Sequence, residues 1–258
     1  MARRRATGQR ERQLRIRELV GATGSVRTED IAEQFGVSVM TVHRDLDALQ
    51  AQGWLRKVRG GATAIQSAAF HGDLGQRMSA MAEVKKKLAH AALEMIGSRQ
   101  TIMIDDSTTC LHLAQRLTER APITVITNFL PVVQLLAEET HVTLVALGGT
   151  YFRSYKAFLG LNTAEAVAQY RADALFMSTT AITRGRCYHQ SQETVGVKRA
   201  MMAAASRRIL LVDHTKFTRD GVYSLAPVAD FDHVLVDSGT PEIELRRIRE
   251  SGVRLTVV

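Results

Sequence analysis

From about residue 98 onward the chain repeats one phrase: a short apolar run, a polar turn, then a stretch with helical spacing. TIMID is followed by STTCLHLAQRLTER, ITVIT by FLPVVQLLAEE, and VTLVAL by a loop and LNTAEAVAQY. ALFMS, SQETVGVKRAMMAAA, RRILLVD and DHVLVD before TPEIELRRIRESG continue the rhythm. Strands that are apolar on both faces need helices on each side, so the alternation restricts residues 82–258 to an α/β domain with a mostly parallel sheet. Its first segment, AEVKKKLAHAALEMI, has helical spacing at Val84, Leu88, Ala91, Ala92 and Met95, which leaves Lys85, Lys86 and Lys87 for the solvated face.

In a sheet of this kind ligands settle beyond the carboxyl ends of the strands. The polar residues that look costly fall there. Asp105 and Asp106 end one strand, and Ser107, Thr108 and Thr109 follow before a helix, so hydroxyls and helix N–H groups can meet an anion. Asn128 ends the next strand after Thr127, Gly148 and Gly149 end another and permit close backbone approach, and DHTKF adds Lys216 after a later one. These residues are the candidate effector-binding set.

The first 62 residues have a different pattern. Leu14, Ile16, Leu19 and Val20 mark a first helix that GATGS stops. Thr28 is the expected cap of TEDIAEQF, with Glu29 and Asp30 in its first turn, and Gly36 ends it. Ser38 caps the next helix, whose stripe is Val39, Val42, Leu46 and Leu49, while Met40, Thr41, His43 and Arg44 occupy the other side. Helix, short turn and helix, followed by a strand from Trp54 to Val58 with Leu55 and Val58 as inward candidates, predict a winged helix-turn-helix domain over 1–62. The stretch 63–81 is weakly periodic and is expected to be a connector.

Charge supports a polyanion partner for this front domain. Residues 1–61 hold twelve Lys and Arg against seven Asp and Glu, and Arg3, Arg4, Arg5, Arg10, Arg12, Arg15 and Arg17 crowd its start. A helix in the DNA major groove would bring Ser38, Thr41 and Arg44 to base edges or phosphates, with His43 in support, and Arg56, Lys57 and Arg59 of the wing would hold the backbone. No apolar run of 18 residues and no signal-peptide h-region occur, so a cytoplasmic protein without membrane contact is expected. Cys110 and Cys187 lack metal-site spacing and are expected to be reduced, with no metal or cofactor.

VRTEDIAEQFGVSVMTVHRDLDALQAQGWLRKVRGGA closely resembles the N-terminal domain of DeoR-type bacterial transcription regulators, with the phrase FGVSVMTVHRDLDAL and a wing ending in GGA. His43 stands where that family usually has arginine, whereas Arg44 and Asp45 match; Asp45 is expected to orient Arg44 or nearby backbone. IDDSTT, TN, GG, RADALFMS, ETVGVKRAMM and DHTKF resemble the family's C-terminal domain, with Ser107 at a position usually held by glycine. The resemblance implies a sensor domain related to ribose-5-phosphate isomerase, a phosphorylated-sugar effector, and a homo-oligomer, at least a dimer, binding operator DNA. It also matches Glu193 and Lys198 to a family motif, either as pocket residues or as an ion pair. The expected function is a sequence-specific regulator, a repressor of carbohydrate genes, with no enzymatic activity. The alternatives are a sugar-phosphate isomerase, for which Asp105, Asp106, Glu193 and Lys216 offer suitable groups, and a constitutive architectural DNA binder.

Overall fold

The computed structural model describes residues 8–51, 55–64 and 74–258. Two units divide the chain, Met1–Asp73 and Leu74–Val258. In the first, helices α1 (Gln9–Thr23), α2 (Thr28–Phe35) and α3 (Val39–Ala51) pack with strands β1 (Ser25–Arg27), β2 (Leu55–Val58) and β3 (Gly61–Ala64). The strands form one antiparallel sheet in the order β1-β3-β2. Apolar periodicity places Ile16 and Val20 of α1, Ile31 of α2, Val42, Leu46 and Leu49 of α3, and Leu55 and Ala62 of the wing in one buried cluster.

Gly36 ends α2 with φ 63°, a left-handed conformation that a side chain disfavours, and its amide closes the helix on Ala32 and Glu33 carbonyls. Thr28, expected as a cap, is instead the first residue of α2. It is buried, and its amide donates to the Gly60 carbonyl at 3.0 Å. Strand β1 was not expected; it brings Val26 so close to Gly61 that a Cβ there would lie 2.1 Å from the Val26 carbonyl oxygen. Val39 departs from the expected core stripe and is 43% exposed, and of the two wing candidates Leu55 is buried whereas Val58 is exposed.

The second unit is built on a seven-stranded sheet in the order β15-β14-β12-β9-β4-β5-β6, with every neighbouring pair parallel. Its strands are β4 (Thr101–Ile104), β5 (Ile123–Thr127), β6 (Val142–Ala146), β9 (Ala174–Met177), β12 (Arg208–Val212), β14 (His233–Val236) and β15 (Arg254–Val257). Helices α4 (Leu74–Ser79), α5 (Ala82–Leu93), α6 (Thr108–Ala114), α7 (Leu130–Leu136), α8 (Leu161–Val167), α9 (Gln192–Ala204) and α10 (Glu242–Glu250) alternate with the strands. Two smaller pieces lay outside the sequence expectation: the hairpin β7 (Thr150–Phe152) and β8 (Ala157–Leu159), and the antiparallel sheet of β10 (Ala181–Thr183), β11 (Arg186–His189) and β13 (Tyr223–Pro227). Short antiparallel strands of this kind carry little periodicity to detect. The stretch 63–81, expected as a connector, supplies Thr63 and Ala64 to β3 and Leu74–Ser79 to α4.

Candidate DNA-reading helix and effector site

On α3, Ser38 Oγ accepts the Thr41 amide at 3.2 Å and lies 2.9 Å from Thr41 Oγ1. The hydroxyl pair therefore caps and fixes the first turn. Met40, 63% exposed, and Arg44, also exposed, project from the same outer side, and Arg44 has no hydrogen bond or ion pair among the described residues. His43 is half-buried. Arg56 and Arg59 of the wing are exposed, but Lys57 turns back: its Nζ lies 2.6 Å from Asp47 Oδ1 and its amide donates to Gln50 Oε1. Arg3, Arg4 and Arg5 lie outside the described residues, as does Trp54.

The structure corrects the expected role of Asp45. It is buried, and it accepts from Arg12 Nε at 2.6 Å and Gln13 Nε2 at 2.9 Å, so it locks α3 to α1 rather than orienting Arg44. Arg12 is correspondingly withdrawn from the basic field assigned to the front of the chain. A fixed charge pair across two helices holds the outer face of α3 in register for whatever it meets.

At the C-terminal edge of the large sheet, Asp105 is a hub. Its Oδ1 accepts from the Ser107 amide at 3.1 Å and from Ser107 Oγ at 2.5 Å, while its Oδ2 accepts from the Ser178 amide at 2.8 Å and from Lys198 Nζ. Four donors saturate this carboxylate, which corrects its assignment as an effector contact. Ser107 is likewise committed, because its Oγ also accepts the Cys110 amide as the N-cap of α6. Lys198 further contacts Asp106 at 3.0 Å and the Ser178 carbonyl at 3.2 Å. Burial opposes the charge on Lys198, but Asp105 and Asp106 outweigh it and hold its pKa above the ordinary lysine value. Glu193 does not pair with Lys198; it accepts from Ser191 Oγ at 2.8 Å.

A second cluster gathers around Asp213. Lys85, expected on a solvated face, is buried: its Nζ donates to the Arg77 carbonyl and lies 3.1 Å from Thr108 Oγ1. Burial, with Lys216 next, lowers its pKa to about 8; Asp213 opposes the shift, and Arg77 and Arg219 reinforce it. Lys216 Nζ is 3.7 Å from Asp213 Oδ2, and its own pKa is lowered by burial despite Asp213, with Arg219 and Arg77 pushing the same way as burial. Asp213 is depressed on balance, since Lys216, Thr215, Lys85 and Arg219 overcome its burial. Buried Lys85, half-buried Lys216 and Arg77, and exposed Arg219 thus lie within electrostatic reach of one another around the Asp213 carboxylate and the Thr108 hydroxyl. Crowded cations of this kind favour a multiply charged anion.

The remaining expected residues are divided. Thr109 is buried, and Asn128 is buried with Nδ2 donating to the Phe158 carbonyl at 2.9 Å. Gly149 has φ 140°, and a Cβ there would lie 1.9 Å from Thr163 Oγ1, which itself donates to the Gly148 carbonyl at 2.8 Å. The close approach at Gly149 is therefore to α8, whereas a Cβ on Gly148 would meet open space. Sequence reasoning missed Lys85, Arg77, Tyr155 and His189. Tyr155 is raised by burial and then by Asp106, its ring centroid is 6.0 Å from that of His189, and His189 is held well below its usual pKa by burial, Lys198, Arg77 and Lys216. The described residues contain no group of three His, Cys, Asp or Glu able to hold a metal ion. Cys110 and Cys187 are free and buried, the latter thiol pushed up to about 12 by burial.

A capped helix exposed between a helix-turn-helix core and a wing, together with a separate α/β unit carrying a cationic cluster at its strand ends, defines a two-domain DNA-binding regulator. Residues 12–68 match the DeoR-like helix-turn-helix domain and residues 80–238 match the DeoR C terminal sensor domain. The chain belongs to the DeoR family of helix-turn-helix transcription regulators. It is 29% identical to the putative aga operon transcriptional repressor of Escherichia coli O157:H7, over 98% of this chain and 96% of that protein. It is 30% identical to the lactose phosphotransferase system repressor of Staphylococcus epidermidis, over 93% and 96%. Among solved structures it is similar to ribose 5-phosphate isomerase A of Methanocaldococcus jannaschii, with TM-score 0.39, 15% identity, and 53% and 55% coverage. The expectation of no enzymatic activity is withdrawn, and no reaction is assigned in its place. No helix among the described residues is long and apolar enough to cross a membrane.

Proposed function

We propose that this chain is a repressor of carbohydrate metabolism or uptake genes that reads operator DNA with α3 and its wing, and whose operator affinity is set by a phosphorylated sugar bound in the larger domain. The observation that carries the effector reading is the convergence of Lys85 and Lys216 on Thr108 and Asp213. Both lysines hold their charge at a cost, their pKa values being lowered by burial, and a phosphate dianion would offset that cost, so the cluster is suited to be completed by one. Arg77 and Arg219 add to the attraction, and Asp106 faces the sugar. The relatives support the gene class, since the Staphylococcus epidermidis protein is a repressor of a lactose phosphotransferase system.

In this reading the larger domain is a sensor with a ribose-5-phosphate isomerase-like fold. On DNA, Arg44 reads a base edge, Ser38 and Thr41 hold the helix start against phosphate, and Arg56 and Arg59 neutralise the backbone. One helix covers only a few base pairs, so the working form is a homo-oligomer, at least a dimer, on repeated half-sites. Operator binding places its action in the cytoplasm. The effector regulates because it distinguishes two DNA-binding states; equal affinity for both would shift neither.

The test is calorimetric titration of phosphorylated and unphosphorylated sugars into wild type, Lys85→Met and Lys216→Met, followed by operator binding at fixed salt with each ligand that binds. Binding that needs the phosphate and is lost in both variants supports the site. Equal binding by wild type and variants removes the site assignment, and ligand binding that leaves operator affinity unchanged removes the sensor assignment.

A further inference from the structure

The outer side of α3 offers few groups that can tell one base from another. Ser38 Oγ accepts the Thr41 amide and lies 2.9 Å from Thr41 Oγ1, so the two hydroxyls are engaged with each other and with the helix start. His43 is half-buried. Further along, Asp47 is exposed and its carboxylate holds Lys57 Nζ at 2.6 Å, which keeps that lysine against α3. An exposed carboxylate repels phosphate, so the part of α3 suited to a DNA groove is its first two turns. The exposed residues of those turns are Val39, Met40 and Arg44.

Met40 is the unexpected member of this set. At 63% exposure it is the most exposed large apolar side chain of the N-terminal unit among the described residues, and Val39 beside it is 43% exposed. The core beneath does not need either residue: Val42, Leu46 and Leu49 of α3 fill it, each at most 1% exposed. Scattered apolar residues are ordinary on a surface, but Met40 occupies the N-terminal turn, the part of a recognition helix that meets base edges. Arg44 follows it by four residues, so the two side chains stand on one face, one turn apart.

Their chemistries select different bases. The guanidinium of Arg44 matches the paired O6 and N7 acceptors of guanine, whereas the one apolar group that a base presents in the major groove is the C5-methyl of thymine. Four helical residues advance about 6 Å, close to two base-pair steps of about 3.4 Å. An unbranched thioether chain is flexible and polarizable, so it can follow a methyl group that its backbone does not face directly.

We propose that Met40 is a specificity-determining residue of α3, packing on the methyl group of a thymine about two base pairs from the guanine that Arg44 reads. Each operator half-site then holds a guanine and a thymine at that spacing, on the same or opposite strands. This inference deepens the reading of α3 as the DNA-reading helix and rests on it.

The test begins by selecting duplexes bound by the full chain from a random-sequence pool. In a selected duplex each thymine is replaced in turn by deoxyuridine, which removes the methyl group and leaves every hydrogen-bonding atom in place. Each guanine is replaced in turn by 7-deazaguanine, which removes the N7 acceptor. Wild type should lose about fourfold in affinity at one deoxyuridine position per half-site, the worth of one buried methyl group, and about fifteenfold when both half-sites carry it. That position should lie about two base pairs from the guanine whose 7-deaza effect disappears in Arg44→Ala. Met40→Ala should bind the thymine and deoxyuridine duplexes alike, and so should Met40→Gln, a polar side chain of similar length. Selected half-sites without thymine overturn the inference, as does a deoxyuridine loss absent in wild type or equal in wild type and both Met40 variants. A pool from which no sequence is enriched overturns instead the reading of α3 as a base-reading helix.

Discussion

Raising the pH should switch off effector binding through Lys85. Its ammonium is half neutral at about pH 8, because burial and the neighbouring Lys216, Arg77 and Arg219 oppose its charge more than Asp213 supports it. If a phosphate dianion binds only the protonated form, affinity is flat below that pH and falls towards about tenfold per pH unit above it. A second limb appears at the acid side, where the phosphomonoester itself gains a proton at about pH 6. Binding should therefore be strongest from about pH 6 to about pH 8, and ligand binding near pH 8 should take up protons. The unliganded domain should behave oppositely: a lysine whose folded pKa lies below its unfolded value of about 10.4 carries a penalty at low pH that is relieved as pH rises from about 8 to about 10. Calorimetry between pH 6.5 and 9.5 in two buffers of different ionisation enthalpy measures both affinity and proton uptake. Lys85→Arg should push the alkaline limb upward, since a guanidinium stays charged throughout, and any residual limb then reports Lys216, whose pKa is also lowered. Affinity in wild type that is constant to pH 9.5 would refute the reasoning, as would an alkaline limb unchanged in both Lys85→Arg and Lys216→Arg.

Lys198→Met should destabilise the larger domain by about 3 to 5 kcal/mol, because it strands two buried carboxylates; a loss under about 1 kcal/mol in denaturant melts contradicts the ion-pair geometry. Asp45→Ala should cost the N-terminal domain a similar amount, about 3 to 5 kcal/mol, by leaving Arg12 buried without its carboxylate, and the melting of the larger domain should not move. Arg44→Ala should weaken specific operator binding by about 1 to 3 kcal/mol at constant salt with both melting transitions intact; unchanged affinity removes Arg44 from base reading. Arg59→Ala should weaken binding to all duplexes alike and reduce the salt dependence, which competition with non-specific DNA distinguishes from a loss of sequence preference.

Much of the scaffold was legible because local pattern carries it. Continuous apolar runs such as ITVIT and RILLV became central strands of the parallel sheet, and Gly36 closed α2 in the left-handed conformation that the FGVS phrase implies. The residues of the proposed phosphate site were only half legible. Thr108 and Lys216 stood out at strand ends, but Lys85 looked like one of three interchangeable lysines on an outer face. Helical spacing ranks faces by apolar content and is blind to a lysine whose head group is drawn inward across a helix contact. The IDDSTT turn misled in the other direction, because a serine before a helix serves as well for a cap as for a ligand.

The sequence by itself determined the division into a winged helix-turn-helix and an α/β domain and most of the core, Val39 and Val58 excepted. These follow from periods of two and 3.6 and from backbone demands at single residues. Tertiary structure decided which of several like-charged residues turned inward: Arg12 rather than Arg44, Lys85 rather than Lys86, and Asp105 as a hub beside a less committed Asp106. The partners concerned are 33 residues apart for Arg12 and Asp45, 23 for Lys85 and Thr108, and 93 for Lys198 and Asp105. A charge is buried only where another element supplies enough opposite charge and hydrogen bonds to offset its lost hydration, and that supply exists only once distant segments have met.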